Sequence, residues 1–167
     1  MHPVSNLIWA TLTTSHKPSK TNIVIDREGN ALISDLGFSR ICHEVTRSQS
    51  KIREGGHYRF LAPELLDGAE EFRTTASSDI YSTSVTFWSL VTLETPFSRY
   101  RRDYAAASAA RRGERPEKTH NPRFFTLDLF DSLWDLFEGM WAHNPSDRPD
   151  AEWVADRLQE IFDGNRT

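Results

Sequence analysis

Asn22 and Asp35, two side chains with oxygen to offer, stand at the outer ends of a segment built to fold back on itself. Asn22-Ile23-Val24-Ile25-Asp26 and Ala31-Leu32-Ile33-Ser34-Asp35 are short, apolar runs rich in β-branched residues. Between them Arg27-Glu28-Gly29-Asn30 carries the Gly and Asn that suit a tight turn. A hairpin over these runs brings an amide oxygen and a carboxylate to one end, where two oxygen ligands could share a cation. Taken singly, Asn22 would be a turn former and Asp35 a turn residue at a strand end. The spacing across the hairpin favours the shared site.

The elements that must position such a site follow in the sequence. From Phe38 to Gly56 the chain is polar, with Ser and Thr among basic residues and no sustained period, which predicts a mobile loop. A second polar stretch runs through Thr74-Thr75-Ala76-Ser77-Ser78. The apolar run Ile80 to Leu93, opened by Asp79, predicts a buried helix capped by Asp79 and stopped at Thr95-Pro96-Phe97. Asp103 to Arg112 is alanine-rich and helical, and Gly113 and then Pro116 end it in the expected order. Leu127, Phe130, Leu133, Trp134, Phe137, Met140 and Trp141 recur at three- and four-residue spacing, the pattern of an amphipathic helix with an aromatic face. Asn144 to Pro149 reads as a turn, and a last helix from about Asp150 to Phe162 follows. The aromatic stripes read as core rather than as a cofactor box.

A chain of 167 residues, 38% hydrophobic and 26% charged, lies in the globular range and is long enough for one domain with a real core. Its net charge of −4 argues against a general affinity for nucleic acid, which demands a basic face. The clusters Arg99-Tyr100-Arg101-Arg102 and Arg111-Arg112 therefore read as a solvated helical face. Cys42 is the only cysteine, so no intrachain disulfide forms and a reducing, cytoplasmic setting is expected. The histidines show no metal-ligand spacing, and Leu7-Ile8-Trp9-Ala10 is too short to span a bilayer, so no membrane partner is expected.

Asp35-Leu36-Gly37, with Asn22 before it and Ala62-Pro63-Glu64 after it, resembles the catalytic half of a protein kinase, with Phe38 placed to supply the aromatic that Leu36 lacks. The resemblance implies that Asn22 and Asp35 hold Mg2+, that ATP is the phosphoryl donor and that the partner is a protein. Gly56-His57-Tyr58-Arg59-Phe60-Leu61, leading into Ala62-Pro63-Glu64, resembles the substrate-facing end of an activation segment. Arg59 before an aromatic is similar to the tyrosine-kinase-like branch, and His57 stands where Ser or Thr is frequent. By the same resemblance Glu64 pairs with Arg148 of Asp147-Arg148-Pro149, while Asp79 caps the central helix and holds the catalytic-loop backbone.

The chain departs from the family in its catalytic loop, which reads Ser15-His16-Lys17-Pro18-Ser19-Lys20-Thr21-Asn22, with no aspartate between Met1 and Asp26. Counting back from Asn22 puts Lys17 at the place of the proton-accepting Asp. Matching Lys17-Pro18-Ser19 to the family's Lys-Pro-Ser puts Ser15 there instead. No Gly-x-Gly-x-x-Gly occurs. The expected organisation is an atypical segment over residues 1–15, a partial kinase domain over 16–162 and a tail over 163–167, as in an altered or truncated gene product. The expected fold is mainly α, a helical lobe with a short β-hairpin carrying the metal-binding residues. Two functions follow: a kinase lobe with impaired turnover and weak ATP binding, or a non-catalytic protein-binding module.

Overall fold

The computed structural model of the protein describes residues 23–28, 31–33, 57–66, 74–118 and 126–164. Strand β1 (Ile23–Ile25) pairs antiparallel with β2 (Ala31–Ile33), Ile23 opposite Ile33 and Ile25 opposite Ala31. The chain thus enters β1 and leaves β2 at the same end. Asp26 helps to turn the corner, its Oδ1 accepting the Glu28 N–H at 2.9 Å. Among the described residues four helices follow: α1 (Ala76–Thr92), α2 (Asp103–Arg111), α3 (Leu127–Met140) and α4 (Ala151–Gly164). Short 3-10 turns cover His57–Phe60, Pro63–Leu66 and Pro145–Asp147.

Helix α1 is the centre of the molecule. Ile80, Tyr81, Val85, Phe87, Trp88 and Val91 join Phe130, Leu133, Phe137 and Met140 of α3 in one core, which Val154, Leu158 and Ile161 of α4 extend. A helix so deeply buried is expected to be apolar all round, yet this one is rich in Ser and Thr. The hydroxyls return to the helix's own backbone: Ser82 donates to Ser78 O at 3.1 Å, Thr86 to Ser82 O at 2.8 Å and Thr92 to Trp88 O at 2.8 Å. Ser84 does the same toward Tyr81 O at 2.7 Å. Each of these four hydroxyls is satisfied without a polar neighbour, so the desolvation cost of burying it is offset locally, whereas the buried Thr83 Oγ1 finds no partner among the described residues.

The start of α1 corrects the expectation that Asp79 caps it. The cap is Thr75, whose Oγ1 accepts the Ser78 N–H at 3.1 Å, while Ser78 Oγ accepts the Thr75 N–H at 2.9 Å. This reciprocal box satisfies two amides and fixes the first turn one residue after Thr75. Asp79 lies inside that turn, 5% exposed, its own N–H bonded to Thr75 O at 3.0 Å. The helix also ends before Thr95-Pro96. Leu93 adopts φ 59°, the left-handed conformation that stops a helix, and Ser89 Oγ donates to Glu94 O at 2.7 Å.

Helix α2 is short and lined with alanine. Ala106, Ala109 and Ala110 bury against Phe97, with Tyr100 alongside, in a second small cluster. Their size lets α2 sit close to both 3-10 turns of residues 57–66. Gly113, at φ 89°, then turns the chain away. In α3 and its C-cap the aromatic face is core, with Trp134 edge-on to Trp141 at 5.4 Å. Helix α4 continues to Gly164, past the expected boundary at 163, and Asp150 Oδ1 caps it through the Trp153 N–H at 2.8 Å. No helix among the described residues is long and apolar enough to cross a membrane.

Candidate functional site

Residues 57–66 form a short, mostly buried segment held by two buried arginines, one from within it and one from the far end of the chain. Arg148 comes from the turn before α4, and its side chain is fully buried. Its Nη1 and Nη2 meet Glu64 Oε1 and Oε2 at 2.7 and 2.8 Å, the two-pronged geometry that matches a guanidinium to a carboxylate. Its remaining donors go to backbone carbonyls, Ala142 O at 2.9 Å, Ser77 O at 2.8 Å and His143 O at 3.3 Å. All five N–H groups are therefore used. Glu64 is 28% exposed, so the pair is buried on the arginine side and half-open on the other.

Tyr81 lies under this clasp. Its ring is 5.1 Å from the Arg148 guanidinium and 5.2 Å from that of Arg115. Burial pushes the Tyr81 phenol up to about 12, against the opposing pull of the two arginines. Among the described residues Arg115 donates to three carbonyls, Trp141 O at 2.7 Å, Ala110 O at 3.2 Å and Glu114 O at 2.7 Å, and desolvation lowers its pKa.

Arg59 holds the other end of the segment. It is 8% exposed and points inward, donating to Asp103 Oδ1 and to the carbonyls of Pro96, Phe97 and Tyr100. The sequence marked Arg59 as part of the segment but gave no sign of these partners, since three of the four are backbone. Asp103 is the residue the sequence reading missed. Its one signal was its place at the start of the alanine-rich helix, where an acidic residue suits the helix dipole.

The arginine clusters are exposed, as expected, but they flank α2 rather than forming one face of it. Arg99 lies in the turn before α2 and pairs with Glu114 and, at 2.6 Å, with Glu117, while Arg112 follows the helix and meets Glu114 Oε1 at 2.8 Å. Hydrogen bonds from Tyr100 and Arg112, joined by Arg99, pull the Glu114 carboxyl down to about 2. Arg101 and Arg102 are exposed.

Asn22, Asp35, Gly56 and both places read for the missing aspartate, Lys17 and Ser15, lie outside the described residues, as do Phe38 and the segment 1–15. His57 opens the first 3-10 turn. No group of His, Cys, Asp and Glu among the described residues could hold a metal ion. The register sets Ile23, where β1 begins, opposite Ile33, where β2 ends.

A family model described as protein kinase domain matches residues 17–158. A dual serine/threonine and tyrosine protein kinase of Bos taurus is 33% identical over 147 residues, 85% of this chain and 14% of that protein. Receptor-interacting serine/threonine-protein kinase 2 of Bos taurus is 28% identical over 138 residues, 80% of this chain and 26% of its own length. Serine/threonine-protein kinase mos of Xenopus laevis is 35% identical over 106 residues, 64% of this chain and 28% of its own. The chain thus spans about a quarter or less of the length of most of these curated relatives.

Proposed function

The chain belongs to the protein kinase domain family, and on that premise we propose that residues 57–66 are the end of an activation segment that faces a protein, in a lobe of the kind that serves ATP-dependent phosphorylation of Ser, Thr or Tyr. The observation that supports this most is the clasp on Glu64. Tying Glu64, the 28% exposed edge of this mostly buried segment, to a fully buried arginine fixes the backbone path that a segment presented to another molecule needs. Asn22 and Asp35 are the residues that would hold Mg2+, and the ion would neutralise charge on the phosphates of ATP. Cys42 as the lone cysteine suits the reducing cytoplasm.

The catalytic loop supplies the other half of the reading. With Lys17 or Ser15 at the place of the proton-accepting Asp, the substrate hydroxyl lacks a carboxylate base, a loss typically worth about 10²–10⁴ in rate. Turnover is therefore impaired, and the same loop favours the second reading, a lobe that binds a protein without chemistry. The test is phosphotransfer. The chain with magnesium-ATP and a Ser/Thr/Tyr peptide mixture should give no product above background. A chimera with a related kinase's upper lobe fused ahead of Ser15 should also be silent, should gain activity on Lys17→Asp or Ser15→Asp, and should lose it again on Asp35→Asn. Transfer by the chimera without an added Asp would overturn the impairment. Silence of every chimera, with protein binding kept, would leave the binding module.

A further inference from the structure

Arg59 lies in the segment expected to face a protein, yet its guanidinium is turned into the molecule. Nη1 donates to Pro96 O at 2.9 Å and Phe97 O at 2.8 Å, Nη2 to Tyr100 O at 2.7 Å, and Nε to Asp103 Oδ1 at 2.6 Å. The three carbonyls belong to one turn, closed by the Tyr100 N–H on Phe97 O at 2.9 Å. In it Phe97 takes φ 54°, a conformation that a bulky residue rarely adopts. The Phe97 ring is buried against Ala106, Ala109 and Ala110 of α2. The turn therefore aims converging carbonyls at one point, while the anchored ring keeps them there.

We infer that Arg59 is a positioning residue, a latch that locks the substrate-facing segment to α2 through this carbonyl cradle. The inference rests on the reading of residues 57–66 as that segment, and adds how the segment is regulated. Arg59 is unavailable for recognising an acidic residue on a partner. The segment and α2 move as one body, so a protein touching the exposed start of α2, where Tyr104 is 78% exposed, also acts on residues 57–66. Asp103 assists, but the carbonyls carry the latch. A planar fork of five donors reaches three carbonyls and a carboxylate together, whereas a lysine ammonium has three donors on a single nitrogen.

Hydrogen exchange on the full chain, without nucleotide, tests this independently of any phosphotransfer result. Arg59→Lys should raise exchange in residues 57–66 and 97–100 by about tenfold or more, while the amides of residues 80–92 keep their protection. Asp103→Asn retains an oxygen for Nε and should have a smaller effect on the same amides. Unchanged exchange in 57–66 for Arg59→Lys would overturn the latch. So would failure of that variant to fold, or an equal loss of protection in 80–92, since both mark a global support. An effect of Asp103→Asn larger than that of Arg59→Lys would show that the ion pair, and not the cradle, holds the segment.

Discussion

Arg148 and Arg59 are both buried cations, but the sequence discloses them unequally. Glu64 and Arg148 are 84 residues apart, and each sits in a motif that resembles one of the family's, Ala-Pro-Glu and Asp-Arg-Pro, so the resemblance implied the pairing before any fold was known. The partners of Arg59 are carbonyls, which every residue has and no sequence marks. Removing Arg148 strands the Glu64 carboxylate and three carbonyls, so Arg148→Ala should cost about 3–5 kcal/mol in urea unfolding. A cost below about 1 kcal/mol would make the pair equivalent to an exposed one. Tyr81 supplies a pH signature. Its hydroxyl finds no hydrogen-bond partner among the described residues, and its pKa stands near 12 in the fold against 10.0 when unfolded. The raised value means that the folded state keeps a proton the unfolded state gives up. Stability is thus full below pH 10 and falls by about 2–3 kcal/mol as pH rises to 12. Tyr81→Phe should flatten that decline, and an unchanged alkaline profile would show that another group causes it.

Among the elements, α3 was the plainest in sequence because its aromatic residues repeat with the helix, while the start of α1 was hidden. Thr74-Thr75-Ala76-Ser77-Ser78 has the composition of a loop, and the residue completing the capping box is Ser78 rather than the usual Glu or Gln. Asp79, the most obvious capping residue in the run, drew the boundary four residues too late. Thr75→Ala should lower stability by about 1 kcal/mol through the lost cap, with thermal unfolding as the measure. No change would mean that packing alone fixes the first turn. The stop of α1 was displaced for a related reason: proline marks where a helix cannot go, but the left-handed Leu93 ends it earlier.

At the scale of the whole molecule, motif spacing carried the family and composition carried the class, and both are properties a chain keeps without its coordinates. The arrangement of α2 was less legible, because alanines announce a helix but not which surface they press against. Their contact with residues 57–66 follows from small size and from Arg59, neither of which has a periodicity to read. The phosphotransfer comparison belongs to this scale, since it asks whether the lobe, given a base and an upper lobe, still has the geometry of an enzyme. The exchange comparison asks a narrower thing of the same body, whether one latch makes α2 and the segment a unit.

The buried Ser and Thr hydroxyls of α1 have a consequence for how this core can vary. Because Ser82, Thr86 and Thr92 donate to carbonyls one turn back, those three hydroxyls carry their own solvation inward and ask no polar group of the helices around them. At these three positions the helices around α1 are free to be chosen for shape alone. A chain of this kind can exchange the apolar residues of α3 and α4 for others of similar volume while its central helix stays as it is.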